Sequence, residues 1–235
     1  MGQLNVQSVR RRLDIEQYSR FETQAERREA LEDATRAVMD RITTLGSLDP
    51  AKVRRLSEPA ERGGLLAYVP GDPDNVFVDM GVAGELPEEP IAGVTAQNAS
   101  ANKLDAFRSV AMTLTPSTDE TEGCAVVDIT LGATPAGTSN YVTTNVVGLP
   151  DGWLRSWVSI YTPTPVESAT LDGEPLELER RGEDGHPIVS FFLDTGPSMT
   201  SRIELVLTKG RTTPPTTLVQ PSVQPYTVRL TDTCP

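Results

Sequence analysis

The sequence predicts an α+β protein. A helical N-terminal segment, interpreted as the remnant of an α/β domain, precedes an immunoglobulin-like antiparallel β-sandwich. Three observations predict this fold class. Apolar residues recur at helical spacing before residue 46, apolar and polar residues alternate at strand spacing after residue 107, and Asp-Gly pairs mark tight turns between the later strands. About seven short strands joined by such turns are typical of a two-sheet sandwich.

Composition and charge limit the classes of function. The chain has 235 residues, of which 37% are hydrophobic, so it can bury a substantial core. Its formal net charge is -12, and residues 1–62 hold 12 basic and 11 acidic residues whereas the remainder holds 9 and 22. The acidic remainder disfavours nucleic acid and anionic lipid as partners. No apolar run reaches the roughly 20 residues of a membrane-spanning helix, so we expect no membrane insertion by this chain.

The helical segment contains one helix with a clear start. Thr23 and Glu26 fit a capping box, in which the side chain of each residue accepts the backbone N–H of the other. The apolar face that follows has three-and-four spacing and consists of Leu31, Ala34, Val38, Ile42 and Leu45. Gly46 is the expected stop. Further helices are predicted at 4–18 and 49–56 and strands at 65–69 and 94–97, while 74–80 fits either a helix or a strand.

From residue 107 onward the pattern is that of β-strands. They are predicted at 108–115, 124–131, 154–161, 168–171, 176–179, 188–193 and 202–208. Asp172-Gly173 and Asp184-Gly185 supply the turns that two-residue hairpins prefer. Trp153 and Trp157 begin the third of these strands, and we interpret both as packing residues of the core and the sheet edge.

These patterns divide the chain into three ranges. Residues 1–103 form the helical segment with its short strands, residues 104–210 form the sandwich, and residues 211–235 form a tail rich in Pro and Thr. Each proline removes a backbone donor and fixes φ, so we expect the tail to be extended. The alternating stretch 226–231 predicts one edge strand within it.

The chain has two cysteines, Cys124 and Cys234, and neither belongs to a Cys-x-x-Cys pair. In an exported domain they can form one disulfide that ties the tail to the strand near residue 123. The alternative is two unrelated thiols. We predict the disulfide, because a free thiol in an exposed tail is reactive.

Residues with catalytic or metal-binding potential are few. His186 is the only histidine, so no second histidine can complete a metal site, and its position in a turn before a proline predicts a solvent-exposed side chain. The sequence holds no nucleophile elbow, zinc-protease motif, phosphate loop or dinucleotide fingerprint. Acidic neighbours at 14 and 16 and at 119 and 120 lie in polar sequence that leaves them solvated. We therefore predict no catalytic residue, no metal and no cofactor.

Residues 81–107, GVAGELPEEPIAGVTAQNASANKLDAF, lie where the helical pattern changes to strands. A glycine turn, a short strand and an Asn-Lys-Asp-aromatic series follow one another here, formed by Gly81, Ala83, Gly84, Leu86, Asn98, Lys103, Asp105 and Phe107. This order, with ERREAL and GLLAY upstream and LRSWVSIYTP downstream, resembles the C-terminal half of a bacterial domain-of-unknown-function family, number four-zero-one-two, common in actinobacteria. The resemblance covers most of residues 3–210.

The resemblance implies an extracytoplasmic envelope protein, with a membrane anchor and the N-terminal half of the same protein upstream of this chain. That half of the family is distantly similar to LytR-CpsA-Psr glycopolymer transferases, in which a helix that bears arginine helps to hold a polyprenyl pyrophosphate. The helix here carries Arg20, Arg27 and Arg28, and planar guanidinium groups suit pyrophosphate. Arg28-Glu29 lies where the transferases have glutamine. The other interpretation is that these arginines pair with acidic neighbours on a solvated helix.

We therefore expect a non-catalytic extracytoplasmic module of the cell envelope that contacts an envelope protein or a glycopolymer. The alternatives are a fragment of a LytR-CpsA-Psr-like transferase that binds polyprenyl pyrophosphate, and a phage or surface-adhesin module. Asn98, Lys103 and Asp105 are predicted to fix the joint between the helical segment and the sandwich, with Lys103 pairing to Asp105. No nucleic-acid partner is expected.

Overall fold

Two β-sheets packed face to face form the largest part of the structure. A computed structural model describes residues 23–43, 84–210 and 213–234. The helices within these ranges are α1 (Gln24–Thr43), a 3-10 turn (Leu104–Phe107) and α2 (Asn140–Thr143). The strands are β1 (Ile91–Asn98), β2 (Arg108–Thr115), β3 (Gly123–Leu131), β4 (Leu154–Tyr161), β5 (Val166–Leu171), β6 (Glu174–Pro175), β7 (Glu179–Glu183), β8 (His186–Thr195), β9 (Met199–Leu207), β10 (Thr216–Val219) and β11 (Tyr226–Leu230). The α+β class and the two-sheet arrangement are confirmed.

Helix α1 begins where the sequence predicts. The Thr23 backbone N–H donates to Glu26 Oε2 at 3.2 Å, and the Glu26 N–H donates to Thr23 Oγ1 at 3.2 Å. These reciprocal bonds satisfy backbone amides that have no carbonyl partner within the helix, so they favour a start at this point. The predicted stop at Gly46 and the elements predicted at 4–18, 49–56, 65–69 and 74–80 lie outside the described residues.

The first sheet, sheet A, has the strand order β10-β1-β4-β8-β7. The pairs β1–β4, β4–β8 and β8–β7 are antiparallel, whereas β10 adds to the edge of β1 in parallel. The second sheet, sheet B, has the order β11-β2-β3-β9-β5-β6. Its pairs are antiparallel except for β11, which adds to the edge of β2 in parallel. Each sheet therefore gains a parallel edge strand from the C-terminal part of the chain.

Alternation along the strands creates the core between the sheets. In β9, Ile203, Leu205 and Leu207 are at most 1% exposed, whereas Arg202 and Glu204 lie on the solvent side. Inward residues of β1, β2, β3, β4, β5 and β8 complete the same apolar cluster. Each large aliphatic side chain that is fully buried stabilises the fold by about 1.5–3 kcal/mol relative to exposure. Burial of these side chains is the main force that holds the two sheets together.

Two tight turns have the backbone that the Asp-Gly pairs predict. Asp172 and Gly173 have φ of 53° and 88°, and Asp184 and Gly185 have φ of 49° and 86°. Positive φ at both central residues defines a type I′ turn, whose twist matches that of the flanking strands. The turns join β5 to β6 and β7 to β8. Both predicted hairpins are confirmed.

The strand predicted at 176–179 is wrong. Residues 176–178 belong to no strand, although the Leu176 N–H donates to the Ala169 carbonyl of β5 at 3.0 Å. Leu176 and Leu178 pack partly buried against the core while the chain crosses from β6 in sheet B to β7 in sheet A. Their alternation reflects this crossing. β7 escaped prediction because its sequence, ERRGE, is exposed along its whole length and has no apolar face.

The sandwich extends beyond the predicted range 104–210 at both ends. The strand predicted at 94–97 exists as β1, but it lies inside sheet A between β4 and β10, so it belongs to the sandwich. The predicted edge strand at 226–231 is confirmed as β11. β10 was not predicted, because its four residues are too few to show a period.

Cys124 and Cys234 form the predicted disulfide, with their sulfur atoms 2.08 Å apart. Cys124 lies near the start of β3, opposite Thr115 of β2. Cys234 follows β11, which pairs with the other edge of β2. Thr115 Oγ1 and Thr231 Oγ1 share a hydrogen bond of 2.9 Å beneath this crossing. The disulfide thus spans β2 and ties the last described residues to the middle of sheet B.

Candidate functional site

Asn98 and Asp105, two residues of the predicted joint, are in direct contact. Asn98 Nδ2 donates to Asp105 Oδ1 at 2.8 Å and to the Asn102 carbonyl and Oδ1 at 2.9 and 3.1 Å, while Asn98 Oδ1 accepts the Ser100 N–H at 2.8 Å. Lys103 takes part through its backbone N–H, which donates to a carbonyl of α2 at 3.0 Å. The predicted ion pair between Lys103 and Asp105 is not observed. This polar cluster orders the turn that connects β1 to β2.

Arg108 was not predicted as a special residue, yet its guanidinium lies between the sheets. Nη1 donates to Ser156 Oγ at 3.0 Å, and Nη2 donates to the Ala96 carbonyl. Burial lowers the pKa of Arg108, and the charges of Asp105 and Tyr226 oppose that shift. Alternation along β2 could have predicted that Arg108 is buried, because it lies on the same inward face as Val110, Met112 and Leu114. Arg108 is only 8% exposed and both of its acceptors belong to sheet A, so it joins the two sheets.

The arginines of α1 lie in different surroundings. The Arg27 guanidinium carbon is 4.5 Å from the centroid of the Tyr141 ring, a cation–π contact between α1 and α2. Arg28 is exposed, and Arg20 lies outside the described residues. A pyrophosphate-binding role for Arg20, Arg27 and Arg28 stays a prediction.

The prediction of an exposed His186 is wrong. This residue is 7% exposed, and its Nε2 lies 2.9 Å from the Pro87 carbonyl oxygen. It begins β8 directly after the Asp184-Gly185 turn, and the segment that precedes β1 covers it. Pro87 is 99 residues away in sequence, so no local pattern could reveal this contact.

The outer face of sheet A carries an aromatic strip, which consists of Gln97, Trp157 and Phe192. Trp157 and Phe192 lie opposite each other on β4 and β8, with ring centroids 4.6 Å apart in an edge-to-face arrangement. Gln97 lies opposite Trp157 on β1. Phe192 is 61% exposed, Gln97 is exposed and Trp157 is half-buried. Aromatic pairs of this size are normally buried, so their exposure leaves ring surface free to contact a ligand.

An ion pair borders the aromatic strip at one end. Arg155 Nε and Nη2 donate to Asp194 Oδ1 and Oδ2 at 2.7 and 2.6 Å, across β4 and β8. The hydrogen bond to Asp194, and its charge, raise the pKa of Arg155. The bidentate geometry fixes both side chains. The opposite charges compensate each other, so this border offers polar edges without net charge.

Hydroxyl groups border the aromatic strip at its other end. Ser159 Oγ and Ser190 Oγ share a hydrogen bond of 2.8 Å, and Thr95 lies opposite Ser159. Beyond them, Tyr161 Oη donates to Glu183 Oε2 at 2.6 Å. Burial, with the hydrogen bond and charge of Glu183, raises the pKa of Tyr161 to about 12. Tyr161 is therefore neutral at physiological pH.

The strip and its two borders form one surface that is aromatic at its centre and polar around it. From Arg155 to Ser159 the strand runs about 14 Å, at about 3.4 Å per residue, whereas Ser190 and Tyr161 are buried, at 4% and 8% exposure. Ring faces attract the slightly positive C–H groups of a ligand, while the amide of Gln97 and the partly buried hydroxyls of Thr95 and Ser159 exchange hydrogen bonds with ligand hydroxyls. The arrangement can bind a molecule that has an apolar face and a hydroxylated edge.

The sequence carries a signal for this surface in the parity of Trp157 along β4. Trp157 was predicted to pack in the core or at a sheet edge, but it lies on the outer face of a central strand. The inward positions of β4 are Leu154, Ser156, Val158 and Ile160, and Tyr161 at its end is buried as well. A tryptophan of opposite parity, among Arg155 and Ser159, must point outward.

In the described ranges, no helix is long and apolar enough to span a membrane. Within the same residues, no group of three or more His, Cys, Asp and Glu side chains is arranged to hold a metal ion.

The fold and its exposed surface define a β-sandwich protein with an aromatic face. No family model matches the chain, and no curated protein matches it. Among solved structures, the chain is similar to a candidate nutrient binding protein from Legionella pneumophila, with a TM-score of 0.28 and 8% sequence identity. The similarity covers 50% of this chain and 42% of that chain, so the match spans less than half of that protein. A likeness of this size carries no functional argument.

Proposed function

We propose that this chain is a non-catalytic, extracytoplasmic module of the cell envelope that contacts a neutral glycopolymer through the outer face of sheet A. The aromatic strip carries the proposal. A sugar ring presents C–H groups on one face and hydroxyls around its edge, which complements Trp157 and Phe192 with Gln97 beside them.

Charge favours a neutral glycan over an anionic one. The chain carries a net charge of -12, which repels phosphate-rich or uronic polymers at long range. Around the strip, Arg155 and Asp194 compensate each other, and Tyr161 is neutral. An uncharged polysaccharide avoids this repulsion. It also forgoes no ion pair at the strip, because the charges of Arg155 and Asp194 already compensate each other.

The disulfide supports the extracytoplasmic part of the proposal. Structural disulfides form and persist in oxidising compartments and are rare in the cytosol. Cys124–Cys234 joins positions 110 residues apart, so it constrains most of the sandwich. The family resemblance expected from residues 81–107 would imply the same location.

An immunoglobulin-like arrangement belongs to the same proposal. β1-β4-β8-β7 follow the order A-B-E-D of one immunoglobulin sheet, and β6-β5-β9 follow C′-C-F of the other. β3 occupies the position of strand G beside β9, although it precedes β4 in the chain. The C-terminal strands then add to the outer edges. A module of this kind suits recognition by an exposed sheet face.

Binding to glycans tests the proposed function directly. Soluble neutral oligosaccharides and a charged glycopolymer, both prepared from bacterial cell wall, are titrated into the protein by calorimetry. We expect the neutral glycans to bind and the charged glycopolymer to bind more weakly. Trp157→Ala or Phe192→Ala should each weaken binding by about 2 kcal/mol, which is roughly 30-fold, as for a central contact residue of an interface.

Val206→Ala is the matched control, because Val206 is a 37% exposed apolar residue on β9 of sheet B, the sheet that does not carry the strip. It should leave glycan binding unchanged. Glycan affinity of wild-type size in a folded Trp157→Ala, Phe192→Ala double variant would contradict the proposal. Failure of every neutral glycan to bind the wild-type protein would contradict it equally.

A further inference from the structure

The C-terminal strap, which consists of residues 213–234, lies along one edge of both sheets. β10 pairs with β1 from Ile91↔Thr216 to Val94↔Val219, and β11 pairs with β2 from Val110↔Tyr226 to Leu114↔Leu230. Residues 220–225 cross from one sheet to the other. Without the strap, β1 and β2 would be the exposed edges of their sheets, with unpaired backbone groups.

Hydrogen bonds along the crossing show that these two edges form a specific receptor. The Ala96 N–H donates to Gln220 Oε1 at 2.7 Å, so a side-chain amide continues the ladder beyond β10. Gln224 Nε2 donates to the Ala106 carbonyl at 3.1 Å, at the 3-10 turn between β1 and β2. After β11, the Thr231 N–H donates to the Leu114 carbonyl at 2.9 Å. These bonds, together with the two backbone ladders, hold the strap in one register.

Gly93 provides space for β10. A Cβ placed on Gly93 would lie 2.6 Å from the Leu218 carbonyl oxygen and 2.7 Å from Leu218 Cβ. Both distances are too short for any side chain. The Leu218 carbonyl oxygen belongs to the backbone and cannot rotate away. Only glycine at this position of β1 lets Leu218 reach its apolar neighbours Ile91, Tyr161 and Ile188.

Non-covalent contacts hold the strap weakly in comparison with the strands of the core. β10 has four residues and β11 has five, both pair in parallel, and most of their residues are exposed or only partly buried. Parallel pairing is slightly less stable per residue than antiparallel pairing. The apolar contacts of β10 and β11 come from partly buried side chains, Leu218, Tyr226 and Val228, and Pro215 ahead of β10 is buried. The disulfide supplies the covalent hold, and Cys234 is exposed to reagents.

We propose that the β1 and β2 edges, together with Cys124, form an interaction surface for the C-terminal strap of a second copy of this chain. Exchange occurs while the Cys124–Cys234 bond is open, and oxidation then links the two copies. A strap from a second copy makes the same contacts as the chain's own strap, so exchange costs little beyond association itself. The fit of Gly93 to Leu218 and of Ala96 to Gln220 selects this sequence over an unrelated extended peptide.

Thiol–disulfide exchange closes the linked pair. A glutathione disulfide first reacts with the Cys234 thiolate of one copy, which leaves glutathione on Cys234 and releases one glutathione thiolate. The Cys124 thiolate of the other copy attacks the Cys234 sulfur, the bond between the copies forms, and the second glutathione departs as a thiolate that takes up a proton. Each bond formed consumes one glutathione disulfide and yields two glutathione thiols.

Two single-cysteine variants test the exchange. The donor carries Cys124→Ser and retains Cys234, whereas the receiver carries Cys234→Ser and retains Cys124. Each is checked for folding by circular dichroism, and the two are mixed in a buffer of oxidised and reduced glutathione. We expect disulfide-linked donor–receiver pairs to dominate, with few donor–donor or receiver–receiver pairs. Proportions no different from random pairing of thiols would overturn the proposal.

Gly93→Val in the receiver provides the matched control, because its side chain blocks the position of Leu218 while Cys124 stays in place. Donor–receiver pairs should then fall to the random level, and pairs undiminished by this change would also overturn the proposal. If a single-cysteine variant does not fold, isotopically labelled and unlabelled wild-type copies are reduced together and reoxidised. Mixed-label peptides that join Cys124 to Cys234 are expected, and only same-label peptides would refute the exchange.

Discussion

Arg108 Nη1 donates to Ser156 Oγ over 3.0 Å and so connects β2 of one sheet to β4 of the other. The same guanidinium donates to the Ala96 carbonyl of β1. Removal of the guanidinium leaves Ser156 Oγ without its donor, leaves the Ala96 carbonyl with Gln220 Nε2 alone at 3.5 Å, and creates a cavity. We expect Arg108→Ala to lower the free energy of unfolding by about 3–4 kcal/mol, measured by urea denaturation.

Arg108→Met separates packing from hydrogen bonding in this position. Methionine fills much of the arginine volume without a charge, and the Ala96 carbonyl still accepts from Gln220 Nε2 at 3.5 Å. The unpaired Ser156 hydroxyl is then the main remaining cost, about 1–3 kcal/mol. The methionine variant should therefore be the more stable of the two. Equal stability of both variants, or wild-type stability of Arg108→Ala, would show that the guanidinium does not join the sheets.

Tyr161 makes the free energy of unfolding decrease at alkaline pH. Its pKa is raised to about 12 by burial and by Glu183, whereas an unfolded tyrosine titrates near about 10. The unfolded chain therefore releases this proton first, so the contribution of Tyr161 to stability is complete below about pH 10 and is lost as the pH rises toward 12. Burial also raises the pKa of Tyr226, which adds a loss of the same sign.

Tyr161→Phe tests this alkaline dependence. The variant loses the hydrogen bond to Glu183 but cannot ionise, so the decline in its free energy of unfolding between about pH 10 and 12 should be shallower than in the wild type. Urea denaturation at a series of pH values, followed by tryptophan fluorescence, gives both curves. Parallel curves would mean that Tyr161 titrates in the folded state as it does in the unfolded chain.

Local patterns predicted the antiparallel centre of the fold well. The limits predicted for 108–115 and 154–161 agree with β2 and β4, because these strands alternate strictly and bury one face. Asp172-Gly173 and Asp184-Gly185 located two hairpins, because type I′ turns require residues that tolerate positive φ. The disulfide was predicted from the position of two cysteines alone.

Features that depend on distant partners could not be predicted in the same way. The burial of His186 arises from Pro87, and the position of β10 arises from space at Gly93. Neither contact leaves a period in the sequence. The aromatic strip could be predicted in part. Alternation along β4 indicates that Trp157 faces outward, but its pairing with Phe192 depends on the register of β4 against β8.

The disulfide should be the largest single covalent contribution to stability. In the chain-entropy treatment, a link that closes a loop of this length stabilises the folded state by up to about 5 kcal/mol. We expect Cys234→Ser to lower the free energy of unfolding by about 2–5 kcal/mol and to speed amide hydrogen exchange in β10 and β11 before that in β3. Wild-type protein reduced with a dithiol serves as the control and should match the variant. Unchanged exchange in β11 would show that the strap is held without the bond.

Asn98 orders the turn between β1 and β2 by donating to Asp105 and Asn102 at once, so an acid in its place should be worse than no side chain. Asn98→Ala leaves these acceptors without their donor and should cost about 1–3 kcal/mol. Asn98→Asp places a second carboxylate against Asp105, and the repulsion raises the pKa of the new acid. The excess loss in Asn98→Asp over Asn98→Ala should shrink as the pH falls from 7 toward 4, because protonation restores a donor. Unfolding by urea at several pH values measures this difference. A difference that does not change with pH would mean that the carboxylate turns away from Asp105 into solvent.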